Sequence, residues 1–246
     1  MMKEMRLESV KIAYGAKTVL DNINLTVKGG EIICLIGASG CGKSTLLNAV
    51  AGLVPPRSGS IMLNGKPVVG PSADRVMVFQ DDAVFPWMTV RENVEFGLKV
   101  KKIAPAERQR IVDEKLRTVE LSHAAEQYPR ELSGGMRKRV DLARALAASP
   151  QMILMDEPYG ALDAMTKERL QIQFLKVCEE TSATALFVTH DIEEALFLGS
   201  RIVVLGRNPG HIAHIIDVPF GEHRSINLKR SPEFQQLRGE VSDLIV

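Results

Sequence analysis

The sequence predicts an α/β fold: a parallel sheet with helices on its faces, a β-rich stretch ahead of it and a helical segment inserted into it. Three observations carry this. Apolar runs that read as buried strands (IICLIG from Ile32, MILM from Met152, TALFV from Thr184, IVVL from Ile202) alternate with helical stretches around Ala164 to Glu180 and Asp191 to Leu198. Ahead of them, Leu7, Val10 and Ile12 lie in a strand, and Ile23, Leu25 and Val27 alternate with polar residues as a half-buried strand does. Between about Thr89 and Ser149 charges multiply and β-branched runs disappear, which reads as helix.

In chain order, Gly29-Gly30 breaks the β-rich stretch before IICLIG. Ser60 to Val68 reads as a hairpin whose Asn64-Gly65 turn needs positive φ. VMVF, from Val76, is a further short buried strand. After Gly206 a strand pair and a terminal helix near Ser231 to Leu244 are expected.

Composition narrows the function classes. The 246 residues are 45% hydrophobic and 25% charged, ordinary for a globular chain with a sizeable core. Lysine and arginine number 31 against 30 acids, which argues against a nucleic-acid partner. No apolar run approaches the ~18 residues of a membrane span, and the opening MMKEMRLESV has no apolar signal core, so a cytoplasmic protein is expected. Cys34, Cys41 and Cys178 show neither paired nor metal-type spacing, which suits a reducing compartment.

The strongest motif is GASGCGKST, Gly37 to Thr45, which fits G-x-x-x-x-G-K-[ST] between an apolar strand and an apolar helical stretch. Gly37, Gly40 and Gly42 let backbone N–H groups wrap a phosphate, with Ala38, Ser39, Cys41 and Thr45 completing the loop. The N-terminus of the following helix adds roughly half a positive charge. Lys43 can reach the β- and γ-phosphates of ATP, and the Ser44 hydroxyl can ligate Mg²⁺. Cys41, beside that positive helix end, is expected to be a reactive thiol that nucleotide protects.

MILMDEP ends a buried strand in two acids. Asp156 can join the Mg²⁺ shell near Ser44 through water, and Glu157 can polarise or orient the water that attacks the γ-phosphate. FVTHDIEEA repeats the design, a strand followed by a polar switch. His190 then belongs at the carboxyl end of the sheet beside the same phosphate.

LSGGMRKRVDLARAL, from Leu132, narrows the choice among phosphate-loop proteins. Ser133 suits a helix N-cap, and Gly134 and Gly135 leave N–H groups uncovered, which makes a second anion site. Arg137, Lys138 and Arg139 read as a solvated helix face. LSGG followed by a basic helix resembles the signature of ABC (ATP-binding cassette) ATPases, and the remaining motifs fall in that family's order.

The resemblance implies a P-loop ATPase fold with a RecA-like parallel core, an N-terminal antiparallel β subdomain and an inserted α-helical subdomain. It implies that Tyr14 stacks on adenine and that Gln80 senses Mg²⁺ and γ-phosphate. It also implies that Ser133, Gly134, Gly135 and Met136 close on ATP held by a second copy, that Asp163 meets that copy, and that His190 is the switch histidine. Met136, Asp141 and Tyr159 depart from the commonest family residues without removing a catalytic group.

The Pro-Trp pair in FQDDAVFPWMTVRENVEFGL and the tail GRNPGHIAHIIDVPF resemble the nitrate, sulfonate and taurine importer subgroup. An importer subunit is therefore expected at the cytoplasmic face of the cell membrane. Its expected partners are a second copy, permease subunits and, indirectly, a substrate-binding protein, with no nucleic acid. Phe85, Pro86 and Trp87 would border the groove that receives the permease; the alternative is that Trp87 is core. One cassette is expected over 1–246: a catalytic core with the β subdomain at about 1–88 and 150–206, helices at about 89–149, and a short extension at 207–246. An exporter ATPase, an ABC ATPase outside transport and a small-molecule kinase of another P-loop family remain the rival readings.

Overall fold

Two sheets lie at the centre of the computed structural model, which describes residues 2–80, 83–160, 162–221 and 224–245. The first is antiparallel. β1 (Glu4–Tyr14) pairs with β2 (Lys17–Lys28) on one side and with β4 (Ser58–Leu63) on the other, and β4 turns into the short β5 (Lys66–Pro67). The turn between β4 and β5 has Asn64 and Gly65 both at positive φ, as the sequence requires. The Asn64 side chain also accepts the N–H of Lys3 at 2.7 Å, tying the hairpin to the chain start.

The second sheet has the order β10-β9-β3-β8-β7-β6. Its parallel strands are β3 (Ile32–Gly37), β6 (Arg75–Val78), β7 (Met152–Asp156), β8 (Thr184–Val188) and β9 (Arg201–Gly206). The strand pair expected in the tail is a single strand, β10 (His211–Asp217), which folds back antiparallel on β9. β9 already exposes an unpaired edge, so the tail needs only one strand to form a ladder.

Alternation along each central strand divides the core in two. Ile33, Leu35, Leu154, Leu186, Val188 and Val203 face α1 (Lys43–Ala51) and the antiparallel sheet. Cys34, Ile36, Ile153, Met155, Phe187 and Ile202 face the other way, into a cluster shared with most of the remaining helices. These are α2 (Val90–Val100), α3 (Pro105–Thr118) and α4 (Gly134–Ala147), all inserted between β6 and β7, and α5 (Ala164–Thr181), α6 (Ile192–Leu198) and α7 (Pro232–Asp243). Thr89 starts α2 with a capping box, its side chain and that of Glu92 exchanging bonds with each other's backbone N–H.

Tyr159 lies in the second core, 3% exposed, with its ring 5.7 Å from that of Phe187. Its hydroxyl has no partner among the described residues. Burial, with the Glu194 charge adding, raises its pKa well above the usual value. A buried hydroxyl without a partner costs about 1–3 kcal/mol. Tyr159→Phe should therefore raise the melting temperature by roughly 2–6 °C. A lower melting temperature in calorimetry would reveal a partner for the hydroxyl.

Candidate functional site

The parallel register brings four chain reversals to one edge of the sheet. β3, β8, β7 and β6 are consecutive neighbours, so the segments that leave their carboxyl ends lie in a row. Those segments carry the glycine loop after Gly37, His190 after Val188, Glu157 after Asp156, and Gln80 two residues beyond Val78.

The glycine loop is built by conformation rather than by side chains. Gly37, Gly40 and Gly42 have φ of 145°, 78° and 105°, values that side-chain-bearing residues rarely adopt. Gly42 is the N-cap of α1 and offers no side-chain acceptor, so the first-turn N–H groups of that helix are left for an external anion. A Cβ on Gly42 would also stand 2.6 Å from Leu20 Cδ2. The Lys43 ammonium sits inside the loop, donating to Gly37 O at 2.8 Å and to Ala38 O at 3.2 Å.

Ser44 Oγ donates to Asp156 Oδ1 at 3.1 Å, joining the start of α1 to the end of β7. Burial raises the Asp156 pKa, and the Glu157 charge adds to the rise. The Ser44 hydrogen bond and Lys43 act the other way, and the net shift is upward. The next residue, Glu157, has a φ of 43°, the left-handed region, and its N–H donates to Val188 O at 3.0 Å. A non-glycine residue there costs about 1–2 kcal/mol. The reversal aims its carboxylate at the neighbouring strand end, where Oε2 lies 3.1 Å from His190 Nδ1.

A cleft of about 520 Å³ opens on this ensemble, lined by Val19, Ser39, Gly40, Gly42, Lys43, Ser44, Thr45, Glu157 and His190. Val19, on β2, carries no motif that would have marked it in the sequence. The turn at Gly210 was also not legible as part of this region. Gly210 N donates to Val19 O at 2.8 Å, and a Cβ on Gly210 would stand 2.1 Å from Cys41 O, so this turn backs the glycine loop closely.

The cleft residues suit a triphosphate with a hard cation. Uncapped N–H groups suit an anion, and a hydroxyl and a carboxylate oxygen 3.1 Å apart are the kind of oxygen ligands that Mg²⁺ prefers. Among the described residues no group of three His, Cys, Asp or Glu side chains forms a metal cage. A cation here would therefore complete its shell from phosphate and water, as Mg²⁺ commonly does.

Other candidate residues lie elsewhere. Ser133 N-caps α4, its Oγ accepting from Met136 N at 3.3 Å, and Ser133 and Gly134 are exposed. Asp163 N-caps α5, accepting from Thr166 N at 3.0 Å; the bonds from Thr166 hold its carboxyl below the usual range. Neither cap lines the cleft. Tyr14, 54% exposed, closes β1 beside the β1–β2 turn. Gln80 is exposed, and Asp81 and Asp82, which follow it, and Ala161, two residues before Asp163, lie outside the described residues.

Two expectations need correction. Cys41 is 1% exposed and packs in the core beneath the loop, so its thiol is not open to reagents; the chain tucks this side chain inward to turn its N–H groups outward. Arg137, Lys138 and Arg139 are not a solvated face. Arg137 donates to Leu132 O at 2.8 Å, Lys138 to Phe79 O at 2.5 Å and Arg139 to Val119 O at 3.2 Å, because their long stems reach carbonyls left open in adjoining segments. Lys138 thus holds the residue before Gln80.

Trp87 is 69% exposed, which rules out its being core. Its ring lies 5.6 Å from that of Phe85, over which the Arg144 guanidinium sits at 5.0 Å. Arg144 pairs with the buried Asp141 at 2.5 Å and donates to Ala83 O at 2.6 Å. The Asp141 departure therefore supports the segment that bears Trp87.

Known proteins resemble this chain along most of its length. The profile of the family described as ABC transporter matches residues 20–160. The taurine import ATP-binding protein TauB of Mesorhizobium japonicum is 45% identical over 99% of this chain and 98% of its own length. The nitrate import ATP-binding protein NrtD of a Synechocystis strain is 47% identical over 94% of this chain and 89% of its own. Among solved structures, the dimeric MJ0796, a bacterial ABC transporter cassette, is 34% identical with a TM-score of 0.78, covering 88% of this chain and 100% of that one. CbiO1 of Clostridium perfringens, part of the ABC transporter complex CbiONQ, shares the fold with a TM-score of 0.81 at 24% identity, over 96% of this chain and 94% of that one.

The raised Asp156 pKa has a thermodynamic consequence. A carboxyl whose folded pKa lies above its unfolded value favours folding when protonated. That contribution is complete below about pH 4, the ordinary aspartate value, and is lost as pH rises through the folded pKa. Asp156→Asn keeps an acceptor for Ser44 but never ionises. Without nucleotide it should melt above the wild type at pH 7.5, with the gap closing as pH falls toward about 4. A gap that widens on acidification would contradict the sign of the shift.

Proposed function

This chain belongs to the ABC transporter family, and from that premise we propose how its site works and what it serves. It is the ATP-hydrolysing subunit of an ABC importer, with a solute in the class of taurine, other sulfonates or nitrate. Its fold is that of the ABC ATPase cassettes. The reading of the site rests above all on one observation: Glu157 and His190, 3.1 Å apart, line the same cleft as the glycine loop.

ATP is the substrate. The N–H groups of the Gly37–Thr45 loop take its phosphates, and Lys43 leaves the loop carbonyls for the β- and γ-phosphate oxygens. Ser44 and Asp156 are the residues that would hold Mg²⁺, Asp156 through water, with Gln80 reaching the same shell; the ion neutralises phosphate charge when bound. Glu157 takes or orients the proton of the attacking water, a role usually worth ~10²–10⁴ in rate. His190 Nδ1 lies 3.1 Å from Glu157 Oε2, a contact that fixes the carboxylate beside the γ-phosphate. Tyr14 packs on the adenine.

Two copies act as a head-to-tail pair. MJ0796 is dimeric, and one structure of it is a post-hydrolysis dimer with ADP and Pi. Ser133, Gly134, Gly135 and Met136, exposed or half-buried at the start of α4, close over the γ-phosphate held by the other copy, and Asp163 meets that copy. Closure on ATP and reopening after hydrolysis drive permease subunits, which a substrate-binding protein supplies with solute. Among the described residues no helix is long and apolar enough to cross a membrane. The chain associates with the cytoplasmic face of the membrane through the permease, a reading supported by its likeness to import ATP-binding proteins. Residues at about 1–88 and 150–206 would form the catalytic core with its β subdomain, about 89–149 the helical subdomain and 207–246 a short extension.

Glu157→Gln should bind ATP normally, lose hydrolysis by roughly 10²-fold or more and accumulate dimers in gel filtration with ATP. Wild-type steady-state turnover in that variant would rule out the assignment. At the permease side, Trp87→Ala should keep ATP binding and lose solute uptake in the reconstituted transporter. Uptake and permease binding equal to wild type would show that Trp87 does not face the permease.

A further inference from the structure

His190 precedes Asp191, the N-cap of α6, a helix of only seven residues, Ile192–Leu198. So short a helix leaves most of its backbone groups outside the intrahelical pattern and cannot fix its own orientation. External partners hold it at both ends. At the N-terminus Asp191 Oδ1 accepts from Glu194 N at 3.2 Å. At the C-terminus Arg224, in the extension, donates through Nη1 to Leu196 O, Phe197 O and Gly199 O at 3.1, 2.9 and 2.9 Å. A cation on terminal carbonyls also opposes the negative end of the helix. Phe234 of α7, 0% exposed, stacks 5.5 Å from Phe220 and anchors this part of the chain.

Five residues beyond Arg224, Lys229 grips the acidic side of the same helix. Its ammonium lies 3.3 Å from Glu193 Oε1, 3.9 Å from Glu168 Oε1 on α5 and 4.8 Å from the ring of Phe197. It also donates to Gln171 Oε1 at 3.3 Å. Gln171, 0% exposed, donates to Glu194 Oε1 at 3.0 Å. Glu194, 3% exposed, is bridged by Lys167 at 3.3 Å, and Lys167 donates to Asp191 Oδ2 at 2.6 Å. A largely buried chain of polar contacts thus runs from the extension to the residue next to His190. In a low-dielectric setting such contacts are costly to leave half made, so they favour one arrangement.

We propose that the segment Arg224–Arg230 is a positioning element for His190, with Lys229 as the contact that sets the orientation of α6 and so the approach of His190 to Glu157 and the γ-phosphate. The inference deepens the reading of His190 given above and rests on it. Lys229 is a positioning residue: it acts through α6 and touches no reacting atom. Its removal leaves Glu193 and Glu168 partly open to solvent, at 40% and 38% side-chain exposure, so the variant should fold.

The test uses the full-length purified chain, with Lys229→Met and Lys229→Arg each made alone and with His190→Ala. Nucleotide affinity and single-turnover ATP hydrolysis, with the protein in saturating excess over ATP, are measured for each. Lys229→Met should lower the hydrolysis rate by about three- to tenfold while ATP affinity stays within about twofold, and Lys229→Arg should recover most of the rate. His190→Ala should lose most turnover, and Lys229→Met should change nothing further in that background. An unchanged rate in Lys229→Met beside a crippled His190→Ala would overturn this inference alone. An equal fold-loss in both backgrounds would do the same, because it would mark a general structural effect. Wild-type turnover in His190→Ala would remove the reading of His190 and this inference with it.

Discussion

The shared direction of β3, β8, β7 and β6 is the constraint on which the rest depends. Neighbouring parallel strands must end at the same edge, so four segments distant in sequence come together. Each supplies something the others lack: uncapped N–H groups, a histidine, a pair of carboxylates and a glutamine. Had one of these strands run antiparallel, its polar terminus would lie at the far edge of the sheet. The near-continuous apolar runs that fill both cores therefore also bear on the chemistry, because they suit strands buried on both faces of a parallel sheet.

Strain and burial are concentrated where this edge meets the cleft. Glu157 takes a left-handed conformation although it is not glycine, and Asp156 stays half-buried with a raised pKa. Both oppose folding, and both aim oxygen atoms at one small volume. The compensation lies in the surrounding lattice: Glu157 N on Val188 O, Ser44 on Asp156, and Gly210 pressed against Cys41. A polar edge of this kind needs support from outside the sheet. The antiparallel sheet provides it through Val19 and Leu20, the tail through Gly210, and the tail again through Arg224 and Lys229 behind α6.

Some features were legible because local chemistry forces them. Asn64-Gly65 makes the expected positive-φ turn, and Ser133 makes the expected cap. Others depended on reach rather than residue type. Arg137, Lys138 and Arg139 look solvated in a helical projection, yet Arg137 folds back to Leu132 O just ahead of its helix and the other two reach carbonyls of distant segments, which a one-dimensional pattern does not record. Cys41 lies beside the helix end as its position implies, but its Cα–Cβ bond points into the core. Trp87 is the reverse case: an apolar ring that sequence alone could place in the core stands in solvent beside Phe85.

By itself the sequence determined the alternating strands and helices, the phosphate-binding loop and the residue types at each strand end. These follow from side-chain periodicity, glycine conformations and caps, all properties of a few consecutive residues. Only the tertiary structure decided which side chains meet: His190 with Glu157, Ser44 with Asp156, Lys229 with Gln171. Those pairs join residues far apart in the chain, and their distances are set by strand order and core packing, which no local pattern encodes.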